Sequence, residues 1–235
     1  MKPILLFAGP SLPVRPIEID PLIRLMPPAR CGDLIRALRH DPAAIALVDG
    51  IFETAPTVWH KEILAVIDRG VPVYGAASLG ALRAAELDHY GMIGVGTIYE
   101  AYRDGLIESD AAVMVAHAPA ELGHRPLTLA LVDAEASLLT AALDPADRAL
   151  LLTIARRINF RDRSWAAIFA EFASRAGAAR ADHVSNAVAA MAFSQKERDT
   201  SALIEQLVAG NTPCQCTRSL PRTIFLERLL NACAA

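Results

Sequence analysis

The chain has 235 residues, with 23 basic against 26 acidic side chains and a net charge of −3. That balance argues against a nucleic-acid binder held by electrostatics, and no apolar run approaches the ~20 residues that span a bilayer. With 53% hydrophobic and 21% charged residues the composition is that of a globular protein with a real core, not a disordered chain.

Residues 3–8 form a short apolar run closed by Gly9-Pro10, which reads as a buried first strand rather than a signal peptide. The proline-rich stretch from 10 to 30 excludes a regular helix, and 17–26 includes a second extended piece. A short helix over 33–39 stops at Asp41-Pro42. Residues 44–48 are a buried strand ending at Asp49-Gly50. Helical spacing over 57–68 closes at Gly70. A strand over 71–74 runs into a helix over 79–87, a further helix follows over 96–102, and 111–116 is a strand candidate. Strands spaced by helices predict an α/β fold, a parallel sheet flanked by helices and Rossmann-like in plan. From there on the pattern is helical: 129–143, 146–158, 164–176, 182–193, 197–209 and 222–232. Gly123-His124-Arg125-Pro126 marks the boundary, giving an α/β core over 1–125 and a mostly helical C-terminal region over 126–235 that packs on it.

The four cysteines stand at 31, 214, 216 and 233. A chain of this size does not need a disulfide framework, and Cys214-Gln215-Cys216 is too tight for a zinc knuckle. Reduced thiols, no metal and a cytoplasmic location are the expectation.

Ligands of parallel sheets bind at the carboxyl ends of the strands, which directs attention to three clusters. Asp49-Gly50-Ile51-Phe52-Glu53 puts a carboxylate at that edge; a plain turn is the other explanation. Trp59-His60-Lys61-Glu62 opens a helix, where His60 and Lys61 face either a site or solvent. The third is Tyr74-Gly75-Ala76-Ala77-Ser78-Leu79-Gly80-Ala81-Leu82-Arg83-Ala84-Ala85-Glu86-Leu87. Here a strand enters a turn of tiny residues and a helix follows. Gly75 permits the turn, Ala77 keeps the approach open, and Gly80 lets the helix press on the sheet. Ser78 sits at the helix start, where unpaired amides favour an anion. It is a nucleophile on an elbow, a hydroxyl that holds an anion, or a simple N-cap. Arg83 and Glu86, three apart, share a helical face. Gly91-Met92-Ile93-Gly94-Val95-Gly96 has the flexibility of a phosphate loop but lacks its Gly-Lys-Ser/Thr ending. His117, at the end of the last strand candidate, points into the cleft or is a core histidine.

These three clusters, with the Gly91–Gly96 run, resemble the core of the TfuA-like proteins over roughly residues 45–160. Leu79 stands where the family has Met, and Thr57 where it has Ser. The resemblance implies a role beside a YcaO-family cyclodehydratase in peptide-backbone thioamidation, the chemistry of certain modified ribosomal peptides. In that role the chain acts on the C-terminal thiocarboxylate of a ThiS-like sulfur carrier protein and hands sulfide to YcaO. It needs no cofactor of its own and neither nucleic acid nor membrane. The residues suit acyl transfer: Ser78 as nucleophile or binding group, His60 as general base, Asp49 orienting His60 or Lys61, Arg83 gripping the anion and Glu86 holding Arg83. Lys61, Gly75, Ala77, Gly80 and His117 complete the expected site. The alternative is a non-catalytic adaptor that docks and activates YcaO.

Overall fold

The computed structural model describes residues 2–13, 20–52, 55–210 and 223–234. They form two compact units, one of residues up to 108 together with those from 197 onward, the other of residues 109–196. The expected boundary near 125 therefore falls inside the second unit, and the last two helices group with the sheet.

The first unit is built on β1 (Ile4–Phe7), β2 (Ile23–Met26), β3 (Ala44–Leu47), β4 (Val73–Ala76) and β5 (Ile93–Val95). Every pairing is parallel and the order across the sheet is β2-β1-β3-β4-β5. The connecting helices are α1 (Asp33–Ala37), α2 (His60–Ile67), α3 (Leu79–Leu87) and α4 (Thr97–Arg103). β3 and β4 are buried at every position, which is why they are uninterrupted apolar or small runs rather than alternating ones. α2 presents Ile63, Val66 and Ile67 to the core and ends where Gly70 takes φ 78°, a left-handed turn that glycine makes without strain.

The second unit holds α5 (Leu131–Thr140), α6 (Pro145–Arg157), α7 (Trp165–Ala176) and α8 (Ala178–Ala189). They pack around Leu138, Leu151, Ile154, Ile168, Phe172 and Val184. α9 (Gln195–Val208) and α10 (Ile224–Ala234) follow. Side chains alternate across the sheet. Leu5, Phe7, Ile45, Leu47 and Val73 share a core with α1, α2, α3 and α10, whereas Leu6, Ala46, Val48, Tyr74 and Ala76 share one with Leu203, Ile204 and Leu207 of α9. The sheet is thus covered on both faces, and α9 supplies the second cover. No helix among the described residues is long and apolar enough to cross a membrane.

Three local readings change. Residues 93–95, taken as part of a glycine-rich loop, are the edge strand β5, because Gly94 pairs with Gly75 of β4. Residues 111–116 are not a strand. The Ser109 hydroxyl accepts from the Ala111 amide and starts a short 3₁₀ turn at Asp110–Ala112 instead, a local cap outcompeting extension. α8 begins at Ala178, before the expected 182, since Gly177 at φ 90° ends α7 and starts the next helix at once. Of the second extended piece, only β2 lies within the described residues together with its approach from 20, and Glu53, Cys214 and Cys216 lie outside them.

Candidate functional site at the strand ends

The strand order reverses between β1 and β3, the point where sheets of this kind bind ligands. There the chain's own carboxylate is already at work. Asp49, 2% exposed, accepts the Gly9 and Ser11 amides on Oδ2 at 2.8 and 2.9 Å and the Ser11 hydroxyl on Oδ1 at 2.7 Å. It pins the loop that leaves β1. Two helix starts nearby are filled the same way. Glu62 Oε1 accepts the Leu34 amide in the first turn of α1 at 2.9 Å. Asp199 Oδ2 accepts the Ile98 amide of α4 at 2.8 Å and lies against Gly96, where a Cβ would come within 2.4 Å of its carboxyl carbon. Negative charge at a helix start is favourable, so these anion positions are met from within. That disposes of the phosphate-loop reading of Gly91–Gly96: its amide at the start of α4 is taken by Asp199.

The start of α3 differs. Leu47 of β3 pairs with Gly75 of β4, so the chain leaves both strands at the same edge of the sheet, with Asp49 two residues beyond Leu47 and Ala77 two residues beyond Gly75. Ala77 has φ 63°, and the Ser78 amide donates back to the Ala76 carbonyl at 2.8 Å. This is the three-residue turn in its rare, strained form, on a residue that has a side chain. Backbone strain of this kind gathers at working sites. Ser78 then occupies the N-cap position, yet its hydroxyl makes no capping bond to α3. The residue is only 3% exposed. Gly80 follows, its amide donating to the Val48 carbonyl at 3.0 Å, and a Cβ there would stand 1.8 Å from the Leu47 carbonyl oxygen. Gly75 is as tight: its Cβ would meet the Gly80 carbonyl oxygen at 2.1 Å. These two glycines let the start of α3 lie against the end of β3.

His60, Arg83 and Glu86 form a second group. Glu86 Oε2 lies 2.8 Å from His60 Nε2 and accepts Arg83 Nη1 at 2.6 Å. Arg83 also donates from Nε to the Val58 carbonyl at 3.0 Å, which ties α3 to the segment leading into α2. Burial raises the pKa of Glu86, but the hydrogen bonds from His60 and Arg83 and the guanidinium charge outweigh it, and the carboxyl is held below its usual range. Eight helical residues separate Ser78 from Glu86, a rise of about 12 Å. His60 is bonded to Glu86 rather than to Ser78 or Asp49. Lys61 turns elsewhere, its Nζ donating to Thr223 Oγ1 at 3.3 Å before α10. His117 belongs to the second unit, its Nδ1 2.8 Å from the Ala118 carbonyl and its ring edge-on to His124.

The expected site thus divides. Asp49, Gly75, Ala77, Ser78 and Gly80 lie at the strand ends, while Arg83 and Glu86 sit further along α3 and His60 meets them from the start of α2. Sequence reasoning missed Ser11, whose only signal is a hydroxyl directly after Gly9-Pro10 at the end of a buried strand. It also missed Asp199, which comes from far along the chain. A family model described as TfuA-like protein matches residues 49–164, starting at Asp49 itself and including both groups. No curated protein matches the chain.

Proposed function

Since the chain is a TfuA-like protein over residues 49–164, a family of the YcaO thioamidation system, we propose that it supplies sulfide to a YcaO-family cyclodehydratase from the C-terminal thiocarboxylate of a ThiS-type carrier. The observation that carries this reading is the β4–α3 turn. It is a strained non-glycine turn that delivers an uncapped serine and the start of a helix to the edge where such sheets act. The reaction is hydrolysis of an acyl thiocarboxylate: water adds to the carbonyl carbon, the carbon–sulfur bond breaks, and hydrosulfide, a carboxylate and a proton leave. The helix start favours the anionic end and the oxyanion that forms on it. The Ser78 hydroxyl, with no bond to its own helix, donates to that anion or attacks it. Asp49 is the carboxylate on the adjoining strand end, and its grip on Ser11 fixes the loop beside it. Arg83 acts as a positioning residue, holding the Val58 segment on α3. His60 and Glu86, partly exposed, lie beside the open side chain of Trp59 and form the rim that meets the carrier.

The adaptor reading rests on that same rim. Trp59 with Ile224 and Phe225, all largely exposed, offers apolar surface of the sort that docks a protein partner. Mass spectrometry of a thiocarboxylated carrier incubated with this protein alone separates the two. Exchange of the carrier's terminal sulfur for oxygen, with sulfide appearing in step, is the expected result. A carrier left unchanged by folded protein, whose sulfur is lost only when YcaO is added, selects the adaptor.

A further inference from the structure

Two cysteines remote in sequence meet around one glycine. Cys233, near the end of α10, is buried, and its thiol donates to the Gly32 carbonyl at 3.5 Å. A Cβ on Gly32 would stand 2.9 Å from the Cys233 sulfur. Cys31, the neighbour of Gly32, is a free and partly exposed thiol. Arg39 donates to the Cys233 carbonyl and fixes the end of the helix. The third member is Glu62, which is 0% exposed, with Oε2 buried and without a hydrogen-bond partner. It lies against the same stretch of chain, where its Oε1 accepts the Leu34 amide. A fully buried carboxylate with a spare oxygen is an expensive arrangement for packing alone.

We propose that Cys31 and Cys233 are a reversible dithiol–disulfide pair that latches α10 onto the sheet unit, formed by exchange with a low-molecular-weight disulfide. The more exposed Cys31 attacks first, forming a mixed disulfide and releasing one thiol. Cys233 then attacks the Cys31 sulfur, the mixed bond breaks, and the second thiol leaves with the proton that Cys233 gives up. Two protein thiols are oxidised and one small disulfide is reduced to two thiols. Burial first, then the charge of Glu62 and the neighbouring Cys233, push the Cys31 thiol up to about 11, so the resting pair exchanges slowly and the reduced form persists until oxidant accumulates. The latch has a place to act. The approach to α10 bonds Lys61 through Thr223 and presents Ile224 and Phe225, so closing it fixes that rim.

The test uses the full chain with Cys214→Ser and Cys216→Ser, treated with oxidised glutathione and analysed by intact mass and non-reducing peptide mapping. The expected product has lost both thiols, retains no glutathione, yields one cross-linked peptide containing positions 31 and 233, and melts several degrees higher. Adding Cys233→Ser should trap glutathione on Cys31. A wild-type pair that keeps glutathione on Cys31 with Cys233 still titratable, or that does not react, overturns the proposal.

Discussion

Gly80→Ala tests whether α3 rests on the strand ends as tightly as its geometry implies. A methyl there would stand 1.8 Å from the Leu47 carbonyl oxygen and 2.6 Å from its carbon. Both atoms belong to the backbone of β3, which is buried along its whole length, so neither can swing aside. Real contacts keep at least 3.0 Å, and α3 must back away by more than an ångström. The move breaks the Gly80–Val48 hydrogen bond, now 3.0 Å, and leaves a buried donor and acceptor unpaired. Overpacking costs about 1–3 kcal/mol and the orphaned groups about 1–3 more. Helix propensity returns about 1 kcal/mol, so the net loss is roughly 1–5 kcal/mol. It should appear as a large drop in the urea midpoint, together with loss of sulfide release as Ser78 shifts from the strand ends. Gly70→Ala is the control. Nothing lies within 4 Å of its Cβ position, and only φ 78° is unfavourable, a cost of about 1–2 kcal/mol. A Gly80→Ala midpoint equal to the wild type would refute the reasoning about how the turn is held.

Asp49→Ala strands the Gly9 and Ser11 amides and the Ser11 hydroxyl, and should cost about 3 kcal/mol by denaturant unfolding, whereas Asp49→Asn, which still accepts the two amides, should cost less than half of that. Burial raises the pKa of Glu62, against the backbone amides that lower it. The unfolded chain therefore ionises first as pH rises, and stability falls from the ordinary carboxylate range upward; Glu62→Gln should flatten that slope in melts taken across pH. Glu86 has the opposite sign: its contribution is present above the ordinary carboxylate range and is lost as pH falls through its lowered value. Glu86→Gln should remove this acid limb, with a small effect because the side chain is partly open to solvent.

What was legible followed from local rules. Apolar runs ended by Gly-Pro or Asp-Gly located β1 and β3, and the small-residue turn before Leu79 located Ser78. β5 was hidden because three residues with Gly94 at the centre are too short to show the alternation that marks a strand. The division of the site was hidden for a different reason. Ser78, Arg83 and Glu86 look contiguous in sequence, but a helix turns that contiguity into about 12 Å of separation. Conversely, Asp49 and Ser78 are 29 residues apart and reach the same edge of the sheet only through the β3–β4 register. The partners that fill the other anion positions, above all Asp199 of α9, depend on a helix returning from the far end of the chain, and no local pattern encodes that.

The account turns on which of two side chains the chemistry needs. The direct measurement is the turnover of a thiocarboxylated carrier at saturation by Ser78→Ala and by His60→Ala, each at matched folded fraction. Ser78→Ala should fall by about 100-fold or more, while His60→Ala should stay within a few-fold and act instead on the carrier concentration needed. Full turnover without the serine hydroxyl, or a collapse on loss of the imidazole alone, would contradict it.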